Sequence, residues 1–354
     1  AGRGKVLAWM LLAAFLLRLA LGVVFAWGLP RYGYEEEPQQ AGFVFFDAYR
    51  RETSAWELAK SDEPLRMAFS DQYNTDQYGG ILAISAAVYR YLSPDAFRPV
   101  LISILAAGAM TMSLSFLMDV IKRFFNEKAA LMAGIIFVFF PEGLLVSASQ
   151  MPEPFLILFI SMSLWSSASM LNGKKKWPPI ILGVISLLGL FFFSFRVAVP
   201  VVGATLLWMW AVESTRIKKG WIRVVGWLTI FMAGFVILLF FRGWIDEVFR
   251  WDTLVTFRAS GMIQYQLENL PRSLRFPFIL VYGMFQPLLP AAIVDPAPWI
   301  WRGLGILRAL GWYTILPLLI YAIFRTWKEE KTYKRNWLVI FTVVVWAWGL
   351  ISSA

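Results

Sequence analysis

The sequence predicts an all-α fold in which a polytopic bundle of about nine transmembrane helices carries helical extracytoplasmic loops. Hydrophobic residues make up 59% of the chain and charged residues 16%, a balance that soluble domains rarely have. Apolar stretches such as 9–27 and 100–118 are long enough, at about 1.5 Å per helical residue, to cross about 30 Å of hydrocarbon. Lys and Arg cluster in short tracts between these stretches. We therefore treat residues 1–354 as a single integral membrane domain.

The spans follow from the apolar stretches in chain order. The segment 276–294 is apolar too, but it contains Pro277, Pro287 and Pro290, which favours a broken, re-entrant or interfacial element over a full span. Two spans hidden in that region are the alternative. The expected spans are 6–28, 100–118, 129–140, 155–171, 179–195, 197–212, 224–241, 304–324 and 337–351.

The basic tracts orient the spans, because cytoplasmic loops carry an excess of Lys and Arg. Four tracts, 122–128, 174–176, 216–223 and 325–335, are expected in the cytoplasm together with the N-terminus. The acid-rich segment 29–99 and the region 242–303 then form two extracytoplasmic loops of a multi-pass protein of the cell membrane. Membrane topology also explains the net charge of +10 without a nucleic-acid partner, since the basic residues form no continuous patch.

The chain contains neither histidine nor cysteine. Disulfides, cysteine or histidine metal sites, Ser-His-Asp triads and histidine proton shuttles are therefore excluded. Carboxylates remain as the expected general bases.

Asp47 follows the apolar run 43–46 and opens a segment expected to be helical through Lys60. At a helix start beside the membrane, the helix dipole would keep its carboxylate ionised and able to take a proton from a hydroxyl. The other interpretation is that Asp47 is an N-cap residue, a position that Asp favours.

The run 70–80 combines carboxylates, amides and tyrosines ahead of an apolar stretch. Such surfaces suit sugars, whose hydroxyls need hydrogen bonds and whose C–H faces stack on rings. An ordinary loop capped by Asp76 is the alternative. The candidate residues of this run are Asp71, Tyr73, Asp76 and Tyr78.

Glu153 lies between Pro152 and Pro154 at the expected outer interface, and Glu142 follows Pro141 in a similar position. A carboxylate so close to lipid is costly unless it is paired, which indicates a functional site. A structural ion pair between one of these glutamates and Arg18, a charge inside the first span, is the alternative.

Arg196 interrupts an apolar run at the expected outer turn between two spans. A guanidinium stays charged in apolar surroundings and binds phosphate in a bidentate way, so Arg196 is a candidate ligand for a lipid phosphate. Snorkelling toward headgroups is the alternative. Arg258 is a further phosphate candidate in the second outside loop, with Arg242, Arg250, Arg272 and Arg275 more weakly placed.

Together, Arg18 in the first span, Asp47 in the first outside loop, the run 78–80 and the Pro-Glu-Pro segment 152–154 resemble the layout of the GT-C superfamily of membrane glycosyltransferases. Within it, the chain is most similar to the protein mannosyltransferase and aminoarabinose transferase type. The resemblance covers about residues 1–215 and consists of layout and short motifs.

The resemblance implies transfer of a sugar from a polyprenyl-phosphate donor to an acceptor hydroxyl at the outer membrane face, with inversion. It implies that Asp47 is the base or the group that faces a divalent cation. Members of the superfamily carry Asp-Glu or Asp-Asp here, whereas this chain reads Asp47-Ala48, so Asp76 is expected to share the role. A polyprenyl phosphate is a good leaving group that needs only cations to hold its charge, which arginines supply.

Two other functions fit the composition. One is a transporter or flippase for a lipid-linked substrate, and the other is a non-catalytic membrane subunit with a GT-C-like fold. A transporter needs a polar path across the midplane, yet apart from Arg18 the intramembrane charges lie near the outer ends of spans. This placement favours the enzyme.

Overall fold

The computed structural model describes residues 2–73, 78–172, 177–214, 217–240, 269–271, 273–275, 278, 289–294 and 299–328. Every regular element among them is an α-helix or a short 3-10 helix, so the prediction of an all-α fold is confirmed. The chain divides into two compact units, Ala1–Thr205 and Leu206–Ala354.

The first unit alternates long apolar helices with a more polar helical region that follows the first of them. In chain order its elements are α1 (Gly2–Tyr32), α2 (Glu37–Gln40), α3 (Phe46–Lys60), a 3-10 helix (Leu65–Phe69), α4 (Gly79–Leu92), α5 (Val100–Phe124), α6 (Glu127–Phe139), α7 (Pro141–Ser147), α8 (Glu153–Asn172), α9 (Trp177–Phe193) and α10 (Phe195–Ser214), within which the unit boundary falls.

The helix lengths support part of the predicted topology. Among the described residues, four helices are long and apolar enough to cross a membrane, at Gly4–Tyr32, Val100–Phe124, Glu153–Leu171 and Phe195–Ser214. The pair α6 and α7 passes the same test together but is bent by 56°, as in a broken span or a re-entrant loop, so the number is up to five if this pair is one span. The number nine stays a prediction, because α9 is shorter and the expected span 337–351 lies outside the described residues.

The apolar helices of the first unit differ in how much of their surface is buried within the protein. In α8, 72% of the most apolar window is buried within the protein, against 17% in α1. α8 packs along both α5 and α9, and α1 packs on α5. We infer that α8 is central and that α1 presents most of its apolar surface to lipid.

Arg18 is the fully buried charge of α1, and its partners are backbone carbonyls. Its Nη1 donates to the carbonyl of Ala14 at 3.0 Å and its Nη2 to the carbonyl of Phe137 at 2.9 Å. The guanidinium carbon also lies 5.5 Å from the centroid of the Phe137 ring.

The hydrogen bond from Arg18 to the carbonyl of Phe137 can be explained from the sequence. In an α-helix the carbonyl of Phe137 would accept from the N–H four residues on, but that residue is Pro141, which has none. Phe137 also lies in the last turn of α6, where carbonyls lack intrahelical donors and a cation is favoured. Arg18 therefore satisfies a carbonyl that the break between α6 and α7 leaves open.

This geometry corrects one interpretation of the sequence. Among the described residues, neither Glu142 in the first turn of α7 nor Glu153 at the start of α8 pairs with Arg18, and the ion pair considered from the sequence is not formed. Carbonyls at a helix C-terminus carry partial negative charge, so they can accept hydrogen bonds from a buried arginine in place of a carboxylate.

The polar helix α3 and the short apolar helix α4 share a hydrophobic core with the longer apolar helices. Its buried members come from α3, the 3-10 helix, α4, α5, α8, α9 and α10. Trp56 of α3, Tyr89 of α4 and Phe97 form an aromatic group, with ring centroids 5.3 to 5.7 Å apart. The first outside loop of the predicted topology is thus ordered and helical in its described residues, as its aromatic content indicates.

The second unit, within its described residues, contains α11 (Gly220–Phe240), α12 (Leu289–Val294) and α13 (Trp299–Lys328). Gly226 of α11 lies so close to the Trp210 ring that a Cβ atom there would collide with it. α12 packs on α13, where Ala309 is fully buried. The expected span 304–324 falls inside α13, and most of the expected outside region 242–303 lies outside the described residues.

The first prediction tests the link between Arg18 and Pro141. Arg18→Met removes the donor to the Phe137 carbonyl, whereas Pro141→Ala supplies a backbone N–H that can replace it. We expect the two changes to couple by about 1 to 2 kcal/mol in the free energy of unfolding, so that the double variant loses less than the sum of the singles. Reversible unfolding in detergent measures this coupling.

The control is Pro200→Ala, which changes the proline inside α10 instead. Its effect should add to that of Arg18→Met. Equal coupling at both prolines, or none at Pro141, would show that Arg18 does not satisfy the carbonyl left open by the break between α6 and α7.

Candidate functional site

α3 carries four charged side chains in its first half, and the candidate site is built around it. The segment predicted to be helical from Asp47 to Lys60 is α3, which begins one residue earlier at Phe46. The Asp47 side chain is 60% exposed, and its Oδ1 lies 3.6 Å from Nη2 of Arg50. The N-cap residue is Phe45, so the N-cap interpretation of Asp47 is wrong. Asp47 therefore lies on the surface, where its carboxylate is accessible to a ligand.

Arg51 points the other way and joins three elements. It is 3% exposed, and its guanidinium carbon lies 5.6 Å from the centroid of the Tyr78 ring. Its Nη2 lies 3.9 Å from Sδ of Met151, two residues before Glu153 opens α8. Arg51 thus brings the start of α4 and the start of α8 against α3.

A glycine brings the end of α9 to the same place. A Cβ atom at Gly80 would collide with the backbone of Phe192 and Phe193, so the first turn of α4 needs a residue without a side chain. Arg196 follows in the first turn of α10 and is exposed. The starts of α4 and α8 therefore lie against α3, and the end of α9 lies beside the start of α4.

The other candidates from the run 70–80 differ in exposure. Asp71 is exposed, whereas Tyr73 is 9% exposed and packs into the hydrophobic core. Asp76 lies outside the described residues, as does Arg258. Asp71 and Tyr73 thus differ in their access to solvent, and the roles assigned to these residues stay predictions.

Glu52 is a buried carboxylate that the sequence interpretation did not single out. It is 1% exposed on the face of α3 that packs on α4. The hydroxyl of Ser85 donates to its Oε1 at 2.7 Å, and the hydroxyl of Tyr89 donates a short hydrogen bond to its Oε2. Both carboxylate oxygens therefore have a donor from α4.

The surroundings of Glu52 favour its neutral form. Burial raises the pKa of Glu52 to about 7, while the hydrogen bonds from Tyr89 and Ser85 and the charge of Arg51 act in the opposite direction. The aromatic group around Tyr89 excludes water on that side. The pKa of Glu52 is thus raised above that of an ordinary glutamate, and burial is the cause.

Helical spacing could have revealed Glu52. Ala48, Glu52 and Ala55 follow one another at intervals of four and three residues, which places them on one face, and both alanines are fully buried. On α4, Ser85 and Tyr89 are likewise four residues apart. Each helix thus shows a polar residue inside an apolar stripe, but the sequence does not show that the two stripes face each other.

Arg90 fixes the far end of α3. Its guanidinium donates to four backbone carbonyls at the end of α3 and just beyond it, at distances of 2.5 to 3.2 Å. Carbonyls at a helix C-terminus lack intrahelical donors, so this arginine acts as a C-terminal cap supplied by a neighbouring helix. The carbonyls belong to Leu58, Ala59, Ser61 and Glu63.

A metal ion would need more ligands than this region displays in its described residues. Across the described ranges, no group of three or more Asp and Glu side chains is placed to hold a metal ion. The charged group that pairs with Asp47 is the cation Arg50. The divalent cation inferred from the resemblance stays a prediction.

Comparisons with protein-family models, with curated proteins and with solved structures give no match to this chain. Functional inference therefore rests on the residues and their geometry.

The second prediction concerns the hydroxyl of Tyr89. Tyr89→Phe removes one donor to Glu52 and leaves a buried carboxylate oxygen without it. We expect the free energy of unfolding to fall by about 1 to 3 kcal/mol, more at pH 8 than at pH 5, because the hydrogen bond to the ionised carboxylate is the stronger one. Unfolding in detergent at both pH values measures the loss.

Tyr91→Phe is the matched control, since Tyr91 lies on the same helix and is 69% exposed. It should change the stability by less than about 0.5 kcal/mol. Equal effects of the two substitutions would contradict the role given to the Tyr89 hydroxyl.

Proposed function

We propose that the chain is an integral-membrane glycosyltransferase with a GT-C-like layout and about nine spans. It moves a sugar from a polyprenyl-phosphate donor to an acceptor hydroxyl at the outer face of the cell membrane. The N-terminus is cytoplasmic, and the region containing α2 to α4 is extracytoplasmic. The observation that carries the proposal is the exposed Asp47 beside Arg50, on a helix against which the starts of α4 and α8 lie.

In the proposed reaction Asp47 takes the proton of the acceptor hydroxyl. The acceptor oxygen attacks the anomeric carbon as the bond from that carbon to the phosphate oxygen breaks, and the electron pair leaves with the polyprenyl phosphate. Attack from the side opposite the leaving group inverts the anomeric carbon. Asp76 is proposed to share the role of base, and a divalent cation could be held there.

The leaving phosphate needs cations and the sugar needs hydrogen bonds. Arg196 is exposed at the start of α10 and supplies a guanidinium that can bind phosphate in a bidentate way, with Arg258 as a further ligand. Asp71, Tyr73, Tyr78 and Glu153 are the proposed sugar-binding residues. Arg51 keeps Tyr78 next to the start of α8, where Glu153 lies.

The contacts of Arg18 favour an enzyme over a transporter or flippase. This charge inside α1 is fully buried and bound to two backbone carbonyls, so it serves helix packing. An intramembrane charge with such partners gives no polar path across the bilayer. The substitution of Asp47 tests the alternative that the chain is a non-catalytic membrane subunit.

The third prediction concerns topology. The chain has no cysteine, so a single introduced thiol is unique. Asp62→Cys lies just after α3, and Lys218→Cys lies in the third basic tract; both positions are exposed. A membrane-impermeant maleimide added to intact cells should label the first and spare the second. Labelling of Lys218→Cys alone would reverse the proposed orientation.

The fourth prediction concerns Asp47. Polyprenyl-phosphate mannose, glucose and aminoarabinose, each presented in vesicles with the purified protein, serve as donors. With a donor that the protein uses, Asp47→Asn should lower kcat by about 10² to 10⁴ with little change in KM, because the amide cannot accept the proton. Radiolabelled sugar transferred to the acceptor measures the rate.

Glu57→Gln is the control for this experiment, since Glu57 is an exposed carboxylate on the same helix. It should leave kcat within about twofold. Full turnover in Asp47→Asn would exclude Asp47 as the base. Movement of the intact donor across the vesicle membrane, without transfer, would support the flippase instead.

A further inference from the structure

A groove between α1 and α6 is lined by hydrophobic side chains and has a volume of about 300 Å³. On both helices the lining residues follow a spacing of three and four, so each helix contributes one face. The lining includes Trp9, Met10 and Ala13 of α1 and Ile135, Val138 and Phe139 of α6. The reaction proposed above gives this groove no task.

The groove lies beside a line of close contact between the two helices. A Cβ atom at Gly134 would come within 2.5 Å of the terminal methyl group of Met10, so α1 and α6 approach closely there. Val138 is 2% exposed, whereas the rings of Trp9 and Phe139 are 69% and 61% exposed. The buried valine therefore forms the floor of the groove, and the two exposed rings form its walls.

The two helices run in the same direction through this contact. Met10 lies at Gly134, and four residues further along each helix Ala14 belongs to one buried cluster with Val138. The same register is therefore kept over about one helical turn. The starts of α1 and α6 consequently lie at the same end of the groove.

That end of the groove is basic. Continuing the same register six residues toward the starts of the two helices places Lys128 of α6 level with Gly4 of α1, next to Lys5. Both lysines are exposed. Lys5 directly precedes Val6, the lining residue nearest the start of α1. Two positive charges therefore lie where the hydrophobic groove begins.

The neighbouring acidic side chains do not cancel this charge. Asp119 pairs with Arg123 at 2.5 Å, and Glu127 in the first turn of α6 is half-buried. Lys122, near the end of α5, is a further exposed cation of the same tract. The charge that remains at this end is positive.

We propose that the groove and the two lysines form a binding site for an anionic phospholipid. One acyl chain lies in the groove between α1 and α6, and the phosphate of the headgroup is bound by Lys5 and Lys128. The proposal concerns a lipid that stays with the protein and does not require the chain to transfer a sugar.

The dimensions of the groove fit a single hydrocarbon chain. The lining residues of α1 extend from Val6 to Ala13, which is about 10 Å along the helix axis. A volume of about 300 Å³ over that length leaves a cross-section narrower than an α-helix, whose diameter is about 10 to 12 Å. A helix of a partner protein therefore does not fit, whereas an acyl chain does.

The lysines make the site selective for an anionic lipid. A hydrophobic groove in a membrane gives little preference by itself, because bulk lipid offers the same hydrocarbon contacts. A lysine near an anionic headgroup contributes about fivefold in affinity, and a zwitterionic headgroup brings a cation of its own that opposes this effect. Two lysines at the end of the groove therefore favour phosphatidylglycerol over phosphatidylcholine.

The position of the lysines along α1 separates this lipid from the proposed sugar donor. Gly42 lies against the backbone of Ala26, so the chain that leads into α3 meets α1 far from its start. Lys5 and Ala26 are about 30 Å apart along the helix axis. A phosphate bound at Lys5 therefore cannot be the phosphate that leaves at Asp47.

The experiment uses lipids that cross-link to the protein. Phosphatidylglycerol and phosphatidylcholine with identical acyl chains, each carrying a diazirine in one chain, are added at equal mole fraction to phosphatidylcholine vesicles containing the full chain. After irradiation, mass spectrometry identifies the labelled peptides. The phosphatidylglycerol probe is expected to label the lining segments of α1 and α6 about tenfold or more above the phosphatidylcholine probe, because two lysines contribute.

Removal of the two charges tests the headgroup contact. Lys5→Gln combined with Lys128→Gln should reduce the preference for the phosphatidylglycerol probe to within about twofold, and so should salt at about 1 M, where charges are screened beyond about 3 Å. Lys218→Gln combined with Lys219→Gln is the matched control, since it removes two exposed charges from another basic tract. It should leave the preference unchanged.

A substitution in the groove tests the acyl-chain contact independently. Ala13→Phe places a ring in the groove and should lower labelling of the α6 segment by the phosphatidylglycerol probe about fivefold or more. Ala8→Phe is the control, because Ala8 is exposed on α1 but does not line the groove, and it should have no such effect. The two sets of variants change different parts of the site, so either set gives a result if the other does not fold.

Three results would overturn the proposal. The first is equal labelling by both probes, which would indicate ordinary lipid contact, and the second is a preference that survives removal of Lys5 and Lys128. The third is displacement of the probe by polyprenyl phosphate more readily than by unlabelled phosphatidylglycerol, which would make the groove a site for the donor. The labelling needs no turnover, so failure of the glycosyltransferase proposal leaves it unaffected.

Discussion

The contact between Arg18 and the carbonyl of Phe137 is the constraint that organises the apolar part of the first unit. Hydrocarbon offers no water to a backbone carbonyl, so a break in a helix within the membrane needs a donor from the protein. Pro141 creates the break, and α1 supplies the donor from its own interior. The bend of 56° between α6 and α7 can therefore lie inside the apolar region without an unsatisfied carbonyl at Phe137.

Buried polar groups are also hydrogen-bonded where α3 packs on α4, but there the buried charged group is an acid and the neighbouring helix supplies the donors. There a carboxylate is buried, and hydroxyls from the neighbouring helix satisfy both of its oxygens. Arg90 closes the end of α3 through carbonyls, as Arg18 closes the end of α6. In both places an arginine from one helix caps the C-terminal end of another, so the orientation of the capped helix depends on its neighbour and not only on its own sequence.

The sequence predicted what depends on composition and on local pattern. The all-α class, the four long apolar helices and the helix opening near Asp47 all follow from periodicity and length, which act within one segment. The partners of Arg18 could not be predicted, because a carboxylate and the carbonyls of a helix end can both accept hydrogen bonds from an arginine. Glu52 was missed for a related reason, since its burial depends on how α4 packs, and no pattern within α3 specifies that neighbour.

Asp47 and Glu52 show how one helix can place two carboxylates in opposite environments. Asp47 stands on the surface beside a cation, where a substrate can reach it, whereas Glu52 is enclosed by hydroxyls and aromatic rings, where only a proton can be exchanged. The difference follows from helical spacing, because five residues correspond to about 140° around a helix of about 3.6 residues per turn. One face of α3 packs on α4 and encloses Glu52, whereas Asp47 lies on another face and stays exposed.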